Sequence, residues 1–305
     1  MPSPHTISSE GTGGHPTSKQ SAMPHSATAG RGLVIVATPI GNADDITQRA
    51  LATLRQADVI ACEDTRTTGT LMARYGIGTP LVPYHEHNAP RMRPLLLERV
   101  RRGETVALVS DAGTPLVSDP GYKLVRAAID AGLAVTTNPG PSAAIAALVV
   151  AGLPTDRFFF AGFLPPRTAA RRQALAEVTA VPSSLIFFEA AGRLAEALAD
   201  MAAVLGDRPA AVARELTKLY EEVRRGTLAE LQAHYAAADP PKGEIVIVVG
   251  PPVRAEATDA AIDDALRAAL ASESLRDAVA AVAAATGAPR RRVYGRALAL
   301  TGGKS

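Results

Sequence analysis

Short polar clusters interrupt the apolar runs of this chain, and three of them carry side chains able to do chemistry. The first, Glu63-Asp64-Thr65-Arg66, follows an apolar run at 59–62. Two carboxylates and a guanidinium at a strand end form a salt-bridged cap, or they orient a substrate. The second, His85-Glu86-His87-Asn88, follows 81–84. In an extended chain His85 and His87 point the same way, but a metal between them would lack a third and fourth ligand, so no metal centre is expected. Polar contacts to a substrate or to the backbone are the other use of this cluster. The third, Ser110-Asp111-Ala112-Gly113-Thr114-Pro115, is made of loop formers, and Gly113 lets the backbone approach a ligand closely.

The elements that must position these clusters follow from the flanking residues. The run 105–109 is nearly all apolar and too short for a helix, as expected of a strand buried on both faces of a parallel sheet. A helix over 122–131 follows, with Asp119 placed to cap it and Pro120 suited to a first helical position. Strand, loop and helix in this order put a ligand beyond the carboxyl ends of the strands of an open α/β sheet.

The pattern recurs elsewhere. Strand 33–36 runs into Thr38-Pro39-Ile40-Gly41-Asn42 and a helix over 45–56 whose apolar positions Ile46, Ala50, Leu51 and Leu54 share a face. Neither GxGxxG nor GxxxxGK[ST] is present, which excludes a Rossmann fingerprint and a P-loop. Strand 134–136 leads through Asn138-Pro139-Gly140-Pro141-Ser142 to an apolar helix over 143–150. Ser142 there is positioned as an N-cap with N–H groups left for a ligand. Further strands at 158–160, 185–188, 210–213 and 245–249 predict a second α/β domain, with a seam near 139–142 that a ligand could bridge.

Composition bounds the rest. A chain of 305 residues predicts two domains with a small appendage. Hydrophobic residues make up 47% and aromatic residues 4%, so the core is built from small aliphatic side chains. A net charge of +2 does not by itself point to a polyanionic partner; that evidence must come from local arginine clusters. The single cysteine, Cys62, rules out an intrachain disulfide and fits a reducing cytosol. No apolar run reaches the roughly 18 residues a membrane span needs.

Residues 1–31 are rich in Ser, Thr, Gly, Pro and His and predict a disordered tail without the apolar segment of a signal peptide. The expected domains are 32–141, 142–252 and a helical 253–305. In the last, Leu275, Val279 and Val282 share a stripe, Thr286-Gly287 breaks it, and Pro289 starts a helix led by Arg290, Arg291 and Arg292. This reads as a helix-turn-helix facing phosphates, or as a capping or dimer-contact pair with a solvated basic face.

Five segments taken together carry a resemblance: Thr38 to Asn42, Glu63 to Arg66, Ser110 to Pro115 with Ser118-Asp119-Pro120-Gly121, Pro139 to Ser142, and Ala213-Arg214-Glu215-Leu216-Thr217-Lys218. In this order they resemble the ribosomal RNA small subunit methyltransferase I family, a branch of the tetrapyrrole methylase superfamily. The likeness runs from about Leu33 to Gly250, and the helical tail is similar to that family's C-terminal domain.

The resemblance implies a two-domain tetrapyrrole methylase-like α/β fold with a small C-terminal helix-turn-helix-like domain. It further implies a cytoplasmic homodimer, not bound to membranes, that holds S-adenosylmethionine bent in the interdomain cleft. The implied reaction is 2′-O-methylation of a cytidine in the decoding region of 16S ribosomal RNA within the small ribosomal subunit. The implied cofactor residues are Pro39, Gly41, Ser110, Asp111, Ala112, Gly113, Thr114, Ser118, Pro141, Ser142 and Ala143, with Phe188, Glu189 and Ala213 from the second domain.

A ribose hydroxyl needs a proton acceptor nearby, for which Glu63, Asp64, His85 and His87 are candidates. Asp64 is taken as the acceptor, with Arg66 holding a phosphate or the carboxylate. Arginines 91, 93, 101, 167, 171, 172 and 290–292 are candidates for phosphate contacts. Where the family has a YEsxHR pattern, this chain has Phe188-Glu189-Ala190-Ala191-Gly192-Arg193, so Gly192 replaces a histidine. The rival expectations are a tetrapyrrole-precursor C-methyltransferase and a non-catalytic ribosome assembly factor.

Overall fold

The computed structural model describes residues 31–252 and 257–302; apart from residue 31, the expected N-terminal tail lies outside the described residues. The first half alternates β1 (Gly32–Val36), α1 (Gln48–Gln56), β2 (Val59–Cys62), α2 (Thr65–Arg74), β3 (Leu81–Pro83), α3 (Ala89–Arg101), β4 (Thr105–Leu108), α4 (Tyr122–Asp130) and β5 (Val135–Asn138). Its five strands form one all-parallel sheet in the order β3-β2-β4-β1-β5. Every residue of β1, β2 and β4 is buried, because successive side chains enter opposite cores. Leu33, Ile35, Val59, Ala61, Val106 and Leu108 meet α3 and α4 through Leu96, Val100 and Leu124. Val34, Val36, Ile60, Cys62 and Ala107 meet α1 and α2 through Leu54 and Met72. Burial of each Val, Leu, Ile or Met among them contributes about 1.5–3 kcal/mol. The loops after β1 and β4 therefore leave adjacent strands toward opposite faces, which opens a crevice between them.

Local chemistry corrects several expected boundaries. The helix expected over 45–56 begins at Gln48, where Thr47 Oγ1 accepts from the Ala50 N–H at 3.1 Å; Ala43–Asp45 form a separate short turn. Asp119 does not cap α4. Gly121 occupies that position at φ 137°, where an added Cβ would come within 2.9 Å of Leu108 Cδ2. Asn138 belongs to β5 rather than to the following turn, and its buried amide donates to Thr53 Oγ1 at 2.7 Å.

The second half contains α5 (Ala143–Ala151), β6 (Phe158–Phe163), α6 (Thr168–Val178), β7 (Ser184–Ala190), α7 (Leu194–Leu205), β8 (Pro209–Arg214), β9 (Glu222–Thr227), α8 (Leu228–Ala237) and β10 (Glu244–Val249). Its sheet runs β6-β7-β10-β8-β9; only β6 and β7 pair in parallel. The β9 edge strand, Glu-Val-Arg-Arg-Gly-Thr, is absent from the sequence-based expectation because its charged residues lack an apolar run.

Helices α6, α7 and α8 cover one face of this sheet through Leu175, Leu198, Met201 and Leu231. Helix α5 covers the other with Ala144, Ala147 and Leu148, in a core that also takes Ile40 from the loop after β1. Arg171 is 1% exposed, and its Nε donates to Asp200 Oδ2 at 2.6 Å, while Arg172 Nε donates to Asp200 Oδ1 at 2.6 Å. A buried pair of this kind fixes the start of α6, so these two arginines serve the fold.

Three helices end the described chain, not two: α9 (Asp259–Leu270), α10 (Leu275–Thr286) and α11 (Arg290–Leu300). They share a core of Ile262, Leu266, Val279, Val282 and Val293. Gly287, at φ 70°, ends α10 in the left-handed conformation. Arg292 and Arg296 of α11 pair with Asp259 and Asp263 of α9. Arg290 and Arg291 are exposed and make no ion pair among the described residues.

Candidate active site

A cavity of about 340 Å³ opens between the carboxyl edge of the parallel sheet and the second sheet. Asp111, Ala112, Gly113, Thr114, Val117, Ser118 and Asp119 border it from the loop after β4, with Ile40 and the start of α5 (Ser142, Ala143) beside them. The second sheet contributes Phe163, Phe188, Glu189, Ala190, Ala213, Leu216 and the segment 243–246. Ten residues expected to hold a cofactor thus meet at one place: Asp111, Ala112, Gly113, Thr114, Ser118, Ser142, Ala143, Phe188, Glu189 and Ala213.

Pro39, Gly41, Ser110 and Pro141 build the walls instead. Pro39 is buried next to Thr38, whose N–H and carbonyl exchange hydrogen bonds with Gly113 at 2.8 and 3.1 Å. The Ser110 hydroxyl donates to the Ala112 carbonyl at 3.1 Å, and Thr114 Oγ1 donates to the Pro141 carbonyl at 2.9 Å. Gly41 packs against the 216–218 loop, where a Cβ would stand 2.5 Å from Lys218 Cγ.

Glu189 borders the cavity with its backbone edge. Period-two alternation along β7 turns its side chain to the Phe187 side, toward the helices. There it is fully buried, and its Oε1 accepts from the Ala190 N–H at 2.7 Å and from Arg193 Nη2 at 2.6 Å. Phe188 faces the cavity, edge-on to Phe160 and Phe163 at centroid distances of 4.9 and 5.4 Å. A Cβ at Gly192, the position of the absent family histidine, would meet nothing within 4 Å.

The first domain gathers carboxylates beside the cavity. Asp64 caps α2: its Oδ1 accepts from the Arg66 N–H at 2.8 Å, and the exposed Arg66 guanidinium clasps both oxygens, with Nη2 to Oδ2 at 2.6 Å. Hydrogen bonds from Arg66 hold the Asp64 carboxyl down to about 2. The Asp64 N–H donates to Asp111 Oδ1 at 3.1 Å. Partial burial pushes the Glu63 carboxyl up, as do the nearby charges of Asp111, Asp119, Glu86 and Asp64. Burial likewise raises Asp119; the Ser110 hydroxyl opposes the rise and the Asp111 charge adds to it.

Glu63, Asp64, Arg66 and His87 lie outside the cavity lining. His85 and His87 are not extended: they enter a turn before α3, with ring centroids 5.9 Å apart at 63°. Among the described residues no group of three or more His, Cys, Asp or Glu could hold a metal.

Four non-glycine residues among those described have positive φ: Leu116 (72°), Ser118 (67°), Glu215 (50°) and Thr217 (66°). All lie in the two loops that border the cavity, at a cost of about 1–3 kcal/mol each. Glu215 is held by backbone and side-chain bonds with Glu244, both at 3.0 Å, and by Lys218 Nζ at 2.7 Å. Its carboxyl lies over Gly243, where a Cβ would be 2.3 Å away.

The sequence reading missed Ile40, Val117, Asp119, Phe163, Ala190, Leu216 and 243–246 as cavity residues. Gly243 before a strand that opens with charged Glu244 was the available signal for the last group.

The arrangement is suited to a small molecule with distinct ends. One wall is apolar and aromatic. At the start of α5, Ser142 makes no capping hydrogen bond, so the first N–H groups of that helix remain for an acceptor.

Comparison with known proteins agrees with this geometry. The model of the Tetrapyrrole (Corrin/Porphyrin) Methylases family matches residues 32–232, and that of the RsmI C-terminal HTH domain matches 256–301. The chain is 54% identical over 270 residues to Ribosomal RNA small subunit methyltransferase I of Mesorhizobium japonicum, covering 88% of this chain and 92% of the relative. The protein of the same name from Xylella fastidiosa is 50% identical over 268 residues, covering 86% and 97%. Among solved structures, a cobalt precorrin-4 methyltransferase of cobalamin biosynthesis superposes with a TM-score of 0.55 at 21% identity, covering 72% of this chain and 94% of that one. At that identity the likeness concerns the fold alone.

Proposed function

This chain belongs to the ribosomal RNA small subunit methyltransferase I family of tetrapyrrole methylases, and on that premise we propose that it methylates the ribose 2′-oxygen of a cytidine in the decoding region of 16S ribosomal RNA. The observation that carries this reading is the cleft where the strand-end loops of one sheet meet Phe188, Ala213 and β10 of the other. S-adenosylmethionine is the methyl donor, and when bound it supplies a methyl group on a cationic sulfur.

The residues present fit it. The uncapped first turn of α5 offers N–H donors to the amino-acid carboxylate. The apolar wall of Phe163, Phe188, Ala213 and Val246 suits the flat base, and exposed Asp111 suits the cationic end. By holding both reactants in one cleft, these walls supply alignment, a large share of the barrier reduction in such transfers.

The polar cluster after β2 forms the salt-bridged cap, one of the two readings of its spacing, rather than supplying the proton acceptor. A carboxyl held down to about 2 is a poor proton acceptor at neutral pH, so Asp64 serves to fix Arg66. Arg66 is 90% exposed at its side chain and points outward, where an RNA phosphate can reach it. His87 is exposed as well. With Arg171 and Arg172 committed to Asp200, phosphate contacts fall to exposed Arg91, Arg167, Arg290 and Arg291. The C-terminal helical unit favours an RNA acceptor over a tetrapyrrole precursor, since it adds a basic helix start that takes no part in the cavity lining. We place the enzyme in the cytoplasm as a homodimer; no helix of the described residues is long and apolar enough to cross a membrane.

The test is methyl transfer from labelled S-adenosylmethionine to unmodified small ribosomal subunits, with naked 16S RNA alongside, followed by digestion to nucleosides. Label in 2′-O-methylcytidine, stronger with the assembled subunit, is the expected result. Cofactor binding without label in either RNA, together with methylation of a tetrapyrrole precursor, would replace this reading with its rival.

A further inference from the structure

Four carboxylate residues border the cavity, and three are committed or open to water. Glu189 is turned to the other face and paired with Arg193, Glu244 is paired with Lys218, and Asp111 is exposed. Asp119 differs. It is half-buried, borders the cavity and makes no ion pair among the described residues.

The backbone on both sides of Asp119 is pinned: Ser118 stands at φ 67°, and Gly121 at φ 137° fills a space too tight for a Cβ. Such strain in a loop that presents one side chain to a cleft suits a reactive group rather than a structural one. The charged groups facing Asp119 are Asp111 on its own loop and Glu63 at the end of β2, both acidic. Among the described residues only the Ser110 hydroxyl, and no cation, favours its ionised form, so it binds a proton more readily than Asp64 does.

We propose that Asp119 is the proton acceptor of the methyl transfer. This rests on the reaction assigned above. The ribose 2′-hydroxyl gives its proton to the Asp119 carboxylate as its oxygen bonds to the methyl carbon. The electron pair of the broken C–S bond stays on sulfur, leaving S-adenosylhomocysteine, and the proton passes from Asp119 to solvent. Glu63, beside it and also raised, keeps Asp119 basic without touching the cavity and so acts as a positioning residue.

The experiment compares wild type, Asp119→Asn and Asp119→Glu on unmodified small subunits. Calorimetric binding of S-adenosylhomocysteine and melting at pH 7 serve as readouts independent of turnover. Asp119→Asn should lower kcat by about a hundredfold or more while affinity for S-adenosylhomocysteine holds. The same change should raise Tm at pH 7, because a carboxyl whose folded value is raised destabilises the fold when ionised.

Asp119→Glu should keep part of kcat and move the acidic limb of the pH–rate profile. Undiminished kcat in Asp119→Asn on an active wild-type background overturns the proposal alone. So does a loss of kcat matched by equal loss of S-adenosylhomocysteine affinity, or a lowered Tm, which would mark a holding role. A wild type that binds S-adenosylhomocysteine but labels no subunit overturns the acceptor reading, and this proposal with it.

Discussion

The backbone N–H of Asn42 donates to Thr217 Oγ1 at 2.9 Å, and this bond ties the loop after β1 to the loop after β8 across the cleft. Thr217 reaches it from a left-handed conformation at φ 66°, and its own N–H is held by Glu221 Oε2 at 2.6 Å. The two sheets are therefore joined at the cavity itself, in addition to the chain connection through 139–142. Ile40 and Leu216 pack in one core just beneath the bond. Cleft shape and interdomain packing are set by the same few residues.

Gly41 tests that coupling. An added Cβ would meet Lys218 Cγ at 2.5 Å, Thr217 Oγ1 at 2.7 Å and the Leu216 carbonyl at 2.9 Å. The lysine stem can shift, but the carbonyl is backbone, so Gly41→Ala must part the loops. The expected cost is about 1–3 kcal/mol in chemical denaturation. S-adenosylhomocysteine affinity should fall with it, although Gly41 does not border the cavity. Wild-type affinity in a destabilised Gly41→Ala would show that the loop junction supports the fold and leaves the cleft unaffected.

How much of this was legible follows from what each element hides. The inner strands of the parallel sheet announce themselves because burial on both faces demands unbroken apolar runs, as in Val59-Ile60-Ala61-Cys62. The edge strand β9 could not be read, since its charged Glu222, Arg224 and Arg225 look like a loop. The loop motifs marked the cleft correctly as a region, yet they did not separate side chains that face it from those that build its walls. Glu189 and Asp119 show why: one residue of register along β7 turns the first away, and Gly121 taking the helix start frees the second. Asp64 looked reactive from its neighbours, but the same arginine that drew attention to it quenches its basicity.

Asp64 also gives a prediction in pH. Its folded value of about 2 lies below the ordinary 3.8, so its contribution to stability is fully present above the unfolded value and is lost as pH falls toward the folded one. Replacing it by Asn removes that contribution. Stability of Asp64→Asn should therefore be lower than wild type at pH 7, with the gap closing as pH falls from about 4 to about 2. Thermal melts across that range measure it. A gap that persists unchanged at the lowest pH would place the effect in the cap bond to the Arg66 N–H instead of the charge. Turnover should survive the change better than in Asp119→Asn, since the proton acceptor stays in place.

The C-terminal helices separate structure from RNA contact within one turn. Arg292 and Arg296 are engaged with Asp259 and Asp263, so they hold α11 on α9. Arg290 and Arg291 precede them on the same helix, are exposed, and sit at its N-terminal end, where the helix dipole favours an anion. Replacing both by Ala in the full chain should weaken binding to small subunits and lower the slope of log affinity against log salt by about 2, since each arginine would neutralise one phosphate. Affinity for S-adenosylhomocysteine and the melting of the C-terminal helices should not move. Arg296→Ala should do the reverse, loosening the helical unit first and weakening subunit binding only as a consequence. An unchanged salt slope in the Arg290 and Arg291 double variant would assign that basic helix start to solvent or to a second copy of the chain, a distinction that sedimentation of the variant against wild type then resolves.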